Sequence, residues 1–176
     1  MANDRASGNG RLRRIVLAVM GMCLLGLPTA AYAANNCPWI NEATASGFLG
    51  GDSVGMFTSA TAGQPAECLF TQQREGFART LRITMEIATD PHANLNSILQ
   101  TCGADQAPIK AIGNEAFACS ESARKGAMGE RVLGRVRDQV FTITLGTTLK
   151  DDPILTRDEL KTRIYTVAEQ VAGNLF

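Results

Sequence analysis

Few residues in this chain have the types and spacing that chemistry requires. His92 is the one histidine, just after Asp90-Pro91. A histidine catalyst needs a carboxylate to orient it and a nucleophile beside it. His92 falls in the first turn of an expected helix, facing solvent, and reads as an ordinary surface histidine. Carboxylate pairs occur at Asp151-Asp152, before Pro153, and at Asp158-Glu159, where a helix is expected to begin. Glycosidase chemistry needs two carboxylates facing across a cleft, and neither pair shows that placement. Ser120 and Ser122 flank Glu121 with no nucleophile-elbow pattern around them. The stretch from Ile109 to Phe117, IKAIGNEAF, offers Glu115 as a candidate acid. Its Gly113-Asn114 pair suits a tight turn instead, because both residues tolerate positive φ. No phosphate-binding pattern surrounds that glycine, and Ile112 and Phe117 are expected to anchor the turn to the core.

The best binding signal is basic. Arg131, Arg135 and Arg137 share one face of a strand by parity, and Arg82 lies on the polar face of another. If those strands are neighbours, the four arginines would form an anion- or carboxylate-binding patch on the open face of a sheet. The commoner outcome for such a face is solvation with cross-strand ion pairs, here to Glu86 and Glu130. A second candidate is the cleft between the Gly50 to Gln64 loop and the sheet, where Met56 and Phe57 would be exposed. Residues of those types more often belong to the core.

The first 33 residues read as an export signal. Arg11, Arg13 and Arg14 precede the apolar run from Ile15 to Leu27, Pro28 breaks it, and Ala31-Tyr32-Ala33 supplies a cleavage pattern. The run is short of the roughly 20 residues a membrane span needs. Met22 before Cys23 is too large for a lipidation motif. Arg13-Arg14 resembles a twin-arginine signal, but the general secretory route is the expected one. Cleavage there leaves residues 34–176, 143 in number, enough for one domain with a core. Without the four arginines and one aspartate of the signal, 13 basic and 16 acidic residues remain. That balance argues against a nucleic-acid partner, and no later segment is long and apolar enough to span a membrane.

Four cysteines lie beyond the signal: Cys37, Cys68, Cys102 and Cys119. An even number in an exported chain reads as two disulfides, and three pairings are open. Cys37–Cys68 with Cys102–Cys119 is favoured, because each bond then ties a helix-flanking segment to the strand that follows. A zinc site would want close Cys-x-x-Cys pairs, and the chain has none. No metal or cofactor is expected.

The elements that must carry these residues follow from periodicity. Asn41 caps a short helix over Glu42 to Leu49, which Gly50-Gly51 ends. Val54 to Ser59 and Glu67 to Gln73 read as strands, with Cys68 and Phe70 on one face of the second. From Arg79 to Ile87, Leu81, Ile83, Met85 and Ile87 alternate with polar residues, giving one core face and one wet face. Asp90-Pro91 opens a helix that carries Leu95, Ile98, Leu99 and Cys102 and ends at Gly103. Glu130 to Val136 and Gln139 to Thr147 form a hairpin about Arg137-Asp138. Thr156 to Glu159 is a capping box for a last helix with an apolar stripe from Leu160 to Leu175. The predicted fold is α+β, in the order α-β-β-β-α-β-β-β-α. Its antiparallel sheet has about five to six strands, with the helices packed on one face.

Several short motifs fall together in this order: Cys37 with Phe48-Leu49-Gly50, then Cys68-Leu69-Phe70, then Ala111-Ile112-Gly113-Asn114-Glu115-Ala116-Phe117. In this the chain resembles small exported bacterial domains of unknown function, of the lipoprotein and periplasmic type with a PsbP-like α+β sandwich. The resemblance spans most of residues 34–176 and implies the fold, with no activity attached. Cys102 and Cys119 are an addition to that pattern, and the chain is expected to lack the lipid-anchor cysteine that many such proteins carry. The expectation is a monomeric periplasmic or secreted domain that binds a partner protein or an anionic envelope ligand without catalysis. The alternative is a small cofactor-free periplasmic hydrolase.

Overall fold

The computed structural model describes residues 36–121 and 127–176. The segment expected to be an export signal, with Cys23, and Ser122 lie outside them. Helix α1 (Glu42–Leu49) starts where the Asn41 side chain accepts the Thr44 amide at 2.8 Å, and it ends at Gly50 with φ 76°. Strands β1 (Val54–Thr58), β2 (Ala66–Arg74) and β3 (Phe77–Ile87) form an antiparallel meander. Helix α2 (Pro91–Leu99) is capped by Asp90, whose carboxylate accepts the Ala93 amide at 2.9 Å. It stops before Gly103, because the Thr101 and Cys102 amides turn back three residues to the Ile98 and Leu99 carbonyls. A second meander, β4 (Ala107–Ile109), β5 (Glu115–Ser120), β6 (Met128–Val136) and β7 (Gln139–Thr147), follows, and α3 (Arg157–Gly173) closes the chain. The Thr156 hydroxyl accepts the Glu159 amide at the start of α3, one half of the capping box, while the Glu159 carboxylate accepts from Arg163 instead of reaching back.

The two meanders join through β3 and β7 into one sheet of seven strands, ordered β1-β2-β3-β7-β6-β5-β4. The α+β class holds, but the count of five to six strands is too low. The stretch from Ile109 to Phe117 runs from the end of β4 through the expected tight turn into β5, with Ala111 at φ 68° and Gly113 at φ 61°; β4 itself was not foreseen. A side chain at Gly113 would put its Cβ 2.4 Å from the Arg135 carbonyl, so glycine is required there for space as well as for φ. Asn114 does not need positive φ. Its amide donates to the Arg135 carbonyl at 2.8 Å, and its side-chain oxygen accepts the Arg137 amide at 2.7 Å, which pins the turn to the end of β6.

The expectation that all helices share one face also fails. Successive strand residues point to opposite faces. In β6, Val132 belongs to the main core with Leu160, Ile164 and Val171 of α3, while the adjacent Leu133 packs with Leu95 and Leu99 of α2. Val140 and Phe141 of β7 divide in the same way. Helices α1 and α3 therefore cover one face and α2 covers part of the other. The cause is that β6 and β7 are apolar on both sides and need cover on both. Ile87, expected in the core, is 75% exposed at the end of β3, where the sheet runs out.

Each face carries one disulfide. Cys37–Cys68, with Cα atoms 5.7 Å apart, ties the segment before α1 to the core side of β2. Cys102–Cys119, at 5.9 Å, ties the end of α2 to β5 on the other side. Loops closed by 31 and 17 residues stabilise the fold by about 3–4 kcal/mol each through the unfolded chain. The two bonds point to an oxidising, extracytoplasmic setting. Among the described residues, no helix is long and apolar enough to cross a membrane.

Candidate functional site

Helix α2 lies over β6 and β7, and among the described residues nothing covers β1 to β3 on its side of the sheet. On that open half Val54 is 75% and Met56 57% exposed. Met56 pairs with Leu69, Leu69 with Arg82, Arg82 with Thr144, and Thr144 with Arg131, so these residues form one cross-strand row. Thr84 and Thr142 pair directly in the next row. Where the open half meets the edge of α2, a cavity of about 320 Å³ is lined by Arg82, Arg131, Glu86, Thr84, Thr142, Thr144 and Ile98, among others. Two of the four predicted arginines thus come together, about 10 Å apart across two strand spacings.

The two cations are held differently. Arg82 is 53% exposed and reaches Glu67 only at 3.5 Å, so among the described residues its guanidinium keeps most of its donors free. Arg131 ion-pairs with Glu121 and donates from Nη1 to the Thr101 hydroxyl at 3.0 Å. Its Nε is buried with no hydrogen-bond partner among the described residues. A sealed, unpaired donor of this kind costs about 1–3 kcal/mol. Arg131 therefore stands at the cavity wall at some expense to the fold.

The other two arginines leave the patch. Arg135 is on the same face but donates from Nε to Glu115 at 3.1 Å, under the first turn of α2. Arg137 takes φ 55° in the β6–β7 turn, so strand parity no longer applies, and its guanidinium stacks 5.9 Å from the Phe176 ring. Ion pairing across this face is real, but its carboxylates are Glu67, Glu115 and Glu121. Glu130 has core parity and is buried on the opposite face.

His92 is not an isolated surface residue. Its Nδ1 lies 3.0 Å from Glu115 Oε2, and its Nε2 lies 3.1 Å from the Asn96 amide. The His92 hydrogen bond is the main cause of a lowered Glu115 carboxyl; burial opposes it and Arg135 adds to it. The helical spacing of His92 and Asn96 was legible, but the contact with Glu115 joins elements 23 residues apart. Both ring nitrogens have partners, and no serine, threonine or cysteine hydrogen-bonds the ring among the described residues. Of the carboxylate pairs, Asp152 is buried in an ion pair with Arg79, and Asp158-Glu159 sits in the first turn of α3.

The second cleft foreseen in the sequence exists in altered form. A cavity of about 450 Å³ lies beneath the β1–β2 connection, lined by Trp39, Phe57, Pro65, Met85, Glu86 and Ile87 among others. Phe57 packs there against Trp39, and Met56 points to the opposite face. Among the described residues no cluster of histidine, cysteine, aspartate or glutamate could hold a metal ion. No protein-family model matches the chain, and no curated protein or solved structure matches it either.

Proposed function

We propose that this chain is an exported, periplasmic binding domain that takes a carboxylate-bearing ligand or partner segment in the groove between α2 and the open half of the sheet. The observation that carries this reading is the row Arg82–Thr144–Arg131, with both arginines lining one cavity beside the hydroxyl-bearing Thr84 and Thr142. Guanidinium forks and hydroxyls are the donors that carboxylates select. The motifs shared with small exported domains and the two disulfides support the compartment.

Titration with succinate, followed by amide NMR, tests the site. The expected shifts cluster at Thr84, Thr142 and Thr144 and vanish in Arg82→Gln. Shifts scattered over the surface, or unchanged in that variant, would refute the groove. A hydrolase reading rests on the contact between His92 and Glu115. With Asn96 on the second ring nitrogen, this contact serves better to dock α2 on β5 and β6.

A further inference from the structure

The arginine groove holds a third charge. Glu86 borders the same cavity as Arg82 and Arg131. In β3 it shares the parity of Arg82 and Thr84, so its side chain faces the open half of the sheet. It is exposed. The ion pairs on this face go to Glu67, Glu115 and Glu121, and among the described residues the Glu86 carboxylate has no ion-pair or hydrogen-bond partner. Glu67 leans toward Arg82 and does not line the cavity.

The register fixes the spacing of these charges. Arg82 pairs with Thr144, Thr84 with Thr142, and Glu86 with Val140. The cationic and anionic ends therefore lie two side-chain rows apart, about 13 Å from Cα to Cα, with the threonine pair between them. An amino acid carries its ammonium and carboxylate on one carbon and cannot reach both ends. A long dicarboxylate would set an anion against Glu86, and a diamine would set a cation against the arginines. An extended peptide of three residues separates its terminal charges by about 10 Å, and the long arginine and glutamate side chains can lean across the remainder. Hydroxyls both donate and accept, as the N–H and C=O groups of such a peptide require. Ile98 of α2, half-buried at the wall, offers apolar contact to a ligand side chain.

We infer that the ligand of this groove is a free peptide of about three residues, with its carboxylate at the Arg82–Thr144–Arg131 row and its ammonium at Glu86. This rests on the carboxylate reading of the groove and adds to it a second charge and a length. The test titrates the intact protein at about pH 6.5, where an α-amine is charged. The probes are trialanine, its N-acetyl form, its C-terminal amide and dialanine, followed through the amide shifts of Thr84, Thr142 and Thr144.

Trialanine is expected to bind about fivefold more tightly than N-acetyl-trialanine or dialanine. Glu86→Gln, at an exposed position, keeps the fold. It is expected to erase that advantage and to leave the acetylated peptide unchanged. The inference fails if the acetylated peptide or dialanine binds as tightly as trialanine, or if the advantage survives Glu86→Gln. Succinate shifts that still vanish in Arg82→Gln would then leave the carboxylate groove standing. A trialanine amide that binds as tightly as the free acid would overturn both.

Discussion

Arg79 and Arg82 stand on the same strand, three residues apart, and have opposite fates. Arg79 shares parity with Leu81 and Ile83 and is 3% exposed. Its Nε and Nη2 each donate to Asp152 at 2.7 Å, and Nη1 reaches Gln72 at 2.9 Å and the Leu49 carbonyl at 3.2 Å. Asp152 also accepts the Thr147 hydroxyl and the Ile154 and Leu155 amides. This network ties α1, β3 and the β7–α3 connection together, and every one of its charges has a partner. Arg82 faces the other way, into a groove, with one distant carboxylate. A fully paired guanidinium holds the fold, and a loosely paired one is available to a ligand.

The comparison breaks most sharply at Arg79. Arg79→Leu leaves Asp152 buried and uncompensated, and it is expected to cost about 3–5 kcal/mol in a urea melt. Removing both charges, as Arg79→Leu with Asp152→Leu, is expected to recover much of that loss. A single variant that loses less than about 1 kcal/mol would show that the pair is not structural.

The pH dependence comes next. Burial works to raise the Asp152 carboxyl, but the Arg79 guanidinium, the Leu155 and Ile154 amides and the Thr147 hydroxyl outweigh it and hold it well below the ordinary range. The unfolded carboxyl titrates near pH 4. Stability from Asp152 is therefore complete above about pH 4 and is lost as pH falls through that value toward the lower folded one. Glu130 has the opposite sign. Burial raises its carboxyl, so its destabilising effect is absent in acid and grows as pH climbs from its unfolded value to the higher folded one. Urea melts across this range should show that Asp152→Asn flattens the acid limb. Glu130→Gln should gain stability at about pH 7 and little at about pH 4.

Arg131 lies between the two extremes. Arg131→Met removes the buried Nε, which has no hydrogen-bond partner among the described residues, and Glu121, partly exposed, can turn to water. The thermal midpoint is expected to hold or rise by an amount worth about 1 kcal/mol, while succinate binding disappears. A large loss of stability would make Arg131 a second Arg79. The smallest effect on stability belongs to Arg82→Gln, which should change it by less than about 0.5 kcal/mol while the succinate shifts vanish in the same titration.

Much of this fold was legible because it depends on local rules. Asn41, Asp90 and Thr156 cap their helices where side-chain oxygens can reach free amides, and the alternation in β3 marked its two faces. The apolar stripe of α3 is buried throughout. The two-sided cover of β6 and β7 had a signal too, the adjacent apolar pairs Val132-Leu133 and Val140-Phe141. Alternation in the neighbouring strands led to a wet face being expected there as well. β4 left little trace, since Ala107-Pro108-Ile109 is too short to show a period. Arg79 keeps the core parity of its strand, but an arginine at such a position reads as a strand end until Asp152 is seen beside it.

By itself the sequence determined the helices and their caps, the strands with clear alternation, the tight turn at Gly113 and the even set of cysteines. All of these depend on residues within a few positions of one another, or on counting. Only the tertiary structure decided which arginines meet. That outcome depends on strand order, on the face α2 covers, and on one left-handed residue that takes Arg137 out of register. The aromatic corner at Trp39 and Phe57 is of the same kind. Residues 18 apart in the chain become neighbours only when the Cys37 segment folds back on the sheet.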